Sequence, residues 1–200
     1  MKFSAILEQH GILTTRRTPE ERIKNHIIAI QKQLHQYIKY DHRGDINLDS
    51  APITSLPSNL TYVDGNLILY HSSITSLPPG LKYIRHSLNI TGTSISQLPD
   101  GLVIEGSLYA SDGALESLPD NLKVGVAVLL SNTNITSLGG IRVVKGMLNL
   151  SHSQIKVLPD NLTVWDQLNL NDTPIRSLPA GLKVHNHLYL MRTQITSLPS

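Results

Sequence analysis

The chain has 200 residues, 40% of them hydrophobic and 16% charged, with 17 Lys+Arg against 15 Asp+Glu. Cysteine is absent, which excludes disulfides, thiolate metal sites and a cysteine nucleophile, and a formal charge of +2 gives no electrostatic ground for nucleic-acid binding. No apolar run reaches the roughly 18 residues of a membrane span, and no charged segment precedes an apolar signal core; a cytoplasmic location is the expectation, with export by a non-Sec route as the alternative. Phe and Trp occur once each, so the core must be built from Leu, Ile and Val, as expected of one packing unit laid down repeatedly.

Residues 1–44 do not repeat and are read as an N-terminal helical cap. A short helix over Ser4 to His10, stopped by Gly11 and carrying Phe3 ahead of it, precedes a stronger one. Thr18-Pro19-Glu20-Glu21 combines an N-cap, a proline at the first helical position and the glutamate of a capping box. Ile23, Ile27, Ile30, Leu34, Tyr37 and Ile38 then follow at three- and four-residue spacing, one apolar stripe ending near Gly44. The segment carries eight Lys+Arg against four Asp+Glu, whereas residues 45–200 carry nine against eleven. Its basic charge also suits a membrane- or partner-binding element, but covering the first coil of a solenoid is the reading adopted.

Residues 45–200 repeat. Ile53/Leu56, Ile74/Leu77, Ile95/Leu98, Leu115/Leu118, Ile135/Leu138, Ile155/Leu158, Ile175/Leu178 and Ile195/Leu198 recur at spacings of 21, 21 and then 20 residues. Ahead of each pair stands an apolar-x-apolar triplet, from Ile46-Asn47-Leu48 to Leu188-Tyr189-Leu190. Its period of two marks a short strand with both flanking side chains inward. Four residues before each triplet from the second on lies a β-branched column, Val63, Ile84, Ile104, Val124, Val144, Val164 and Val184, suited to a buried extended segment. After the strand comes a small hydroxyl column, Ser72, Thr93, Thr133, Ser153, Thr173 and Thr193, expected to bond the backbone of the neighbouring coil.

A Leu-Pro step then leads to Asn59, Gly80, Gly101, Asn121, Asn161 and Gly181, which predict a left-handed backbone position. A buried Leu follows each. The fifth copy departs, reading Leu138-Gly139-Gly140-Ile141, yet its length stays at 20 residues, so coil circumference is the constrained quantity. Stacked copies make a parallel sheet with strands about 4.8 Å apart. Trp165 falls in the turn between Val164 and Leu168, where its burial tests this register. The last copy has no polar or helical cap, which would leave Leu188, Leu190, Ile195 and Leu198 on an open edge available to a partner or to a second copy.

Written as L-x-L-x-x-T-x-I-x-x-L-P-x-N/G-L-x-V, as in Leu168 to Val184, the unit resembles the leucine-rich repeat, with Thr or Ser at the asparagine-ladder position. The Leu-Pro step and repeat length are similar to the short bacterial class found in pathogen effectors and in bacterial and phage repeat proteins. The resemblance implies an α/β horseshoe solenoid with a parallel sheet on its concave, partner-binding side. It also admits an effector-like recognition domain without a catalytic domain.

The outward middle column reads Asn47, Ile68, Asn89, Tyr109, Leu129, Asn149, Asn169, Tyr189. Its flanks include Tyr70, Ala127, Met147, His187 and Met191. Tyr and Met are common interface anchors, so Tyr70, Tyr109, Leu129, Met147, Asn149, Asn169, Tyr189 and Met191 are the candidate protein-binding residues. Tolerated surface variation would leave the same scatter, and the asparagines suit side-chain ladders as well as recognition. His185 and His187 have the alternation of two metal ligands on one strand, though two solvated histidines are the simpler reading. His71 and His152 lie about 19 Å apart on the strand spacing and cannot share a metal. Asp112 with Glu116, or Asp160 with Asp166, lacks a nucleophile or oxyanion hole, and no phosphate-binding glycine motif precedes a helix. The expectation is a non-catalytic, cofactor-free protein-binding module with neither nucleic acid nor membrane as partner; self-assembly through the C-terminal edge is the second reading.

Overall fold

In the computed structural model, residues 18–40 and 43–196 are described. The predicted short helix, Phe3 and Leu198 fall outside them. Helix α1, Pro19–Lys39, opens with the expected reciprocal cap: Thr18 N–H donates to Glu21 Oε2 at 3.0 Å and Glu21 N–H to Thr18 Oγ1 at 3.2 Å. It ends at Lys39 rather than running on toward Gly44, because the chain must turn back into the first coil. Gly44 makes that turn at φ +86, and the Tyr37 hydroxyl pins it by donating to Gly44 O at 3.1 Å. All of the stripe but Ile23 packs on the solenoid. Ile30 and Leu34 are buried, while Ile23 stands half exposed.

Beyond the helix the chain forms a parallel-strand β-solenoid of about seven turns. Each coil places two strands of two residues. The triplets form β1 (Ile46–Asn47), β3 (Leu67–Ile68), β5 (Leu88–Asn89), β7 (Leu108–Tyr109), β9 (Val128–Leu129), β11 (Leu148–Asn149), β13 (Leu168–Asn169) and β15 (Leu188–Tyr189), one continuous eight-stranded parallel sheet. The β-branched column, expected only to be extended, builds a second parallel sheet that meets the first at a three-residue corner. This second sheet is split: β2 (Tyr62–Val63), β4 (Tyr83–Ile84), β6 (Val103–Ile104) and β8 (Lys123–Val124) form one part, and β10 (Val143–Val144), β12 (Thr163–Val164) and β14 (Lys183–Val184) the other.

The core is the predicted stack of aliphatic side chains, and among the described residues no aromatic side chain is one of its buried members. Repetition forces this, since each level must accept the one above and below it at the same spacing. Trp165 is 56% exposed at the corner between β12 and β13, outside the core, as the register requires. At the last described level Leu188 is 36% exposed, whereas its counterpart Leu168 is wholly buried.

Two local expectations are corrected. The threonine hydroxyls do not reach the neighbouring coil. Thr93, Thr133 and Thr173 donate at 2.7 Å to the carbonyl three residues earlier in their own coil, those of Ile90, Leu130 and Leu170. The serines in the same column, Ser72 and Ser153, have buried hydroxyls with no hydrogen-bond partner among the described residues. Serine lacks the γ-methyl that restricts the threonine rotamer. Of the predicted left-handed positions, Gly101, Asn161 and Gly181 have positive φ, but Asn59, Gly80 and Asn121 do not. The left-handed position present at every level lies one residue before the hydroxyl column: Ser50, His71, Gly92, Asp112, Asn132, His152, Asp172 and Arg192. The strand must reverse there in a single residue, and residue types from Ser to Arg fill it.

The fifth-copy departure coincides with the split in the second sheet. A Cβ on Gly140 would lie 1.7 Å from Asp120 O, so this coil is drawn hard against the one before it at the bend. At the second sheet the same two coils part. Lys123 N–H bonds Leu102 O at 3.1 Å and Gly125 N–H bonds Ile104 O at 2.8 Å, but β10 makes no equivalent bonds to Leu122 or Val124. Contact resumes at the corner, where Gly146 N–H reaches Val126 O at 2.9 Å.

Gly140→Ala is expected to destabilise by about 2–4 kcal/mol through backbone collision, whereas Gly101→Ala, with φ +72 and nothing within 4 Å of its Cβ, is expected to cost only about 1–2 kcal/mol of conformational strain. Urea midpoints compare the two. Thr173→Val should cost about 1 kcal/mol, while Ser153→Ala, which deletes an unpartnered hydroxyl, should be neutral or stabilising in the same assay.

Candidate functional site

Strands two residues long pair few backbone groups, so the flanking N–H groups need other acceptors. On the eight-stranded face, outward side chains supply them. Asp45 Oδ1 accepts from Asn66 N–H at 2.7 Å, Asn66 Oδ1 from Ser87 N–H at 3.0 Å, Ser87 Oγ from Ser107 N–H at 3.0 Å and Ser107 Oγ from Ala127 N–H at 3.3 Å, a chain running coil to coil. In the middle column each asparagine serves its own coil. The oxygens of Asn47, Asn89, Asn149 and Asn169 accept from the N–H two residues on, at 3.0–3.1 Å. Asn149 and Asn169 therefore have a structural task, and the ladder expected between asparagines is replaced by bonds within the coil.

This pattern singles out the levels that abandon it. Ile68, Tyr109, Leu129 and Tyr189 occupy the asparagine column without an acceptor; Asn171 Oδ1 accepts from Met191 N–H at 2.7 Å in the last case, but among the described residues no side chain takes up the N–H of Tyr70, Ser111 or Ser131. Tyr109 and Leu129 are direct partners across β7 and β9. Met147 stands on the next coil beside Ala127, where the coil-to-coil chain of acceptors also stops. Tyr109, Leu129 and Met147 thus form one apolar patch, with Tyr109 39% exposed. The other candidates lie apart from it. Tyr70 is two coils away and packs edge-on to His71 at 4.1 Å. Tyr189 and Met191 are two coils beyond Met147, near His187, whose ring is 6.0 Å from that of Tyr189.

The paired-histidine reading is not realised. The corner between β14 and β15 separates the two rings: His185 lies flat on Trp165 at 4.1 Å, and His187 goes to Tyr189. Among the described residues no group of three His, Asp or Glu side chains is placed to hold a metal ion, and no helix is long and apolar enough to cross a membrane. Asp112 accepts from Asn132 Nδ2 at 2.7 Å and Asp166 from Asn186 Nδ2 at 3.0 Å, each bonded to an asparagine of the next coil.

The second sheet carries groups that the sequence reading did not assemble. Tyr62 and Tyr83 stack with ring centres 5.1 Å apart. Tyr62 donates to Asp64 Oδ1 at 2.8 Å, Arg85 pairs with the same oxygen at 2.7 Å, and Asp64 N–H reaches the Tyr37 hydroxyl at 3.0 Å, tying the helix to the solenoid. Tyr83 donates to Glu105, and this bond pushes its pKa up to about 12. Six of the nine cations of residues 45–200 border this sheet, Lys82, Arg85, Lys123, Arg142, Lys145 and Lys183, against three acids, Asp64, Glu105 and Asp166. Three cations and eight acids lie elsewhere on the repeats, so a net −2 conceals a face of +3 beside surfaces totalling −5. Segregation was hidden because the charges alternate along the chain and sort by face only when the coil closes.

The fold and these faces define a repeat protein of the parallel-solenoid class. Compared with models of known protein families and with curated proteins, the chain matches none.

The Arg85 guanidinium, and then the Tyr62 hydroxyl, hold the Asp64 carboxyl below its ordinary value of 3.8. A lowered folded pKa means that this contribution is present above the unfolded value and is lost as pH falls through the folded one. Stability should therefore fall as pH drops below about 4. Asp64→Asn should lower the urea midpoint at pH 6 and reduce the difference between pH 6 and pH 3; an unchanged difference would contradict this role.

Proposed function

We propose that the protein is a non-catalytic binding module of the leucine-rich-repeat type, related to the short bacterial class, which holds a protein partner on its eight-stranded face. The patch of Tyr109, Leu129 and Met147 is the centre of that surface. One observation carries the reading: at Tyr109 and Leu129, on adjacent strands, apolar side chains stand where asparagine elsewhere completes the coil's own hydrogen bonding. A position that gives up an internal hydrogen bond for an apolar side chain on the solvent face, exposed at Tyr109 and partly exposed at Leu129, costs the free protein stability that binding can offset. The aromatic and thioether side chains are of the kind that anchors protein interfaces.

Leu129→Asn separates function from fold. It should restore the local bond to the Ser131 N–H, keeping or raising stability by about 0.5–1 kcal/mol, and weaken partner binding at least about tenfold. Urea denaturation reads the first effect. Comparative capture by wild type and variant, followed by titration of the captured species, reads the second, and equal retention of every species would overturn the assignment.

A further inference from the structure

The coil of Asn149 shows what the outward N–H groups of the eight-stranded face are placed to hold. There the Ser151 N–H, at 3.1 Å, and the Ser151 hydroxyl, at 2.9 Å, converge on one amide oxygen, Asn149 Oδ1. Ser111 occupies the same place two coils earlier. Its N–H has no acceptor among the described residues, because Tyr109 stands where the asparagine would. Its hydroxyl accepts from Ser131 Oγ at 2.9 Å, which leaves its own proton to be donated, and no acceptor for that proton lies among the described residues. The Ser131 N–H, one coil on and about 4.8 Å away, lacks one as well. These groups open onto solvent: at other levels the same N–H is reached by an outward side chain, and Ser111 and Ser131 are both partly exposed.

We propose that Ser111 and Ser131 receive a side-chain carboxamide, an asparagine or glutamine of the protein partner, whose oxygen takes the place that Asn149 Oδ1 fills at Ser151. The inference rests on the partner-binding reading of the Tyr109 patch and names the chemistry that the partner must offer beside it. In the free protein these donors are open to water. A partner that closes over Tyr109 and Leu129 removes that water and leaves the donors unpaired unless it brings an acceptor of its own. Charge selects an amide over a carboxylate. Of residues 106–113 and 126–133, which carry these two levels across the face, Asp112 alone is charged, so an anion would meet repulsion and no cation. A carboxamide also has N–H donors for the serine hydroxyl oxygens, which a carboxylate lacks. Its aliphatic stem suits the apolar surface of Tyr109 and Leu129.

The test is amide NMR of the isotopically labelled full chain, titrated with isobutyramide as the probe and with isobutyrate and isobutanol, of the same branched shape, as comparisons. The Ser111 and Ser131 N–H resonances are expected to move most, and saturably, with isobutyramide. Isobutyrate and isobutanol should bind at least about threefold more weakly, as should isobutyramide to Ser111→Ala, whose otherwise unchanged spectrum confirms its fold. Leu129→Asn gives the Ser131 N–H an internal amide and should silence its response while Ser111 still responds. Larger shifts elsewhere, no saturation, equal affinity for isobutyrate or an unaltered response in Ser111→Ala would overturn the proposal. The two readings fail separately. Loss of a captured species with Leu129→Asn while both serine resonances ignore isobutyramide keeps the patch and removes the carboxamide. A full isobutyramide response with equal capture by wild type and variant removes the patch as a partner site and, with it, the partner's carboxamide.

Discussion

A coil of about 20 residues with only two two-residue strands leaves most of its backbone polar groups to find partners outside strand pairing. Buried or half-buried, such groups are costly when unpaired, and the rest of the structure follows from how they are met. Parallel pairing meets those at the strand centres. The hydroxyls of Thr93, Thr133 and Thr173 each meet a carbonyl on the inside of their own turn. On the outside, Asp45, Asn66, Ser87 and Ser107 pass N–H groups from coil to coil, and Asn47, Asn89, Asn149 and Asn169 close their own turns. The polar make-up of the solvated sheet face is therefore a requirement of the backbone rather than indifference to composition. Departures from it, as at Tyr109 and Leu129, carry information about use.

Much of the fold was legible because it depends on side-chain type at fixed spacing. Thr18 and Glu21 announce the helix, the triplets announce one sheet, and Leu-Pro announces the bend. The second sheet was not legible: two residues are too few to show an alternation, and Val63 or Val164 reads only as extended. The left-handed position before the hydroxyl column was hidden for another reason. Ser50, His71, Asp112 and Arg192 have no side-chain feature in common, because their conformation is imposed by the coils on either side. Gly80 and Asn121, which look left-handed by type, sit in turns that do not need it.

The candidate surfaces divide in the same way. Tyr109, Leu129 and Met147 could be grouped from the sequence because the strand register is regular. Asn149 and Asn169 could be read either as ladders or as contacts until the acceptors of the backbone N–H groups were known. The basic second-sheet face and its break depend on the sorting of alternating charges by coil closure and on hydrogen bonds that fail to form. Neither leaves a motif. The substitution of Gly139-Gly140 for the proline turn was visible, yet its effect appears on the far side of the coil, where β10 separates from β8.

That separation also bears on how the molecule comes apart. In a solenoid, stability is close to a sum over repeats and over the contacts between successive ones, so cooperativity passes through each junction in turn. The junction between the coils ending in β8 and β10 is coupled through the eight-stranded sheet and the tight bend but lacks second-sheet pairing, unlike its neighbours. It is the seam at which the helix with its first coils is expected to part from the later coils as a separate foldon, each opening with its own free energy.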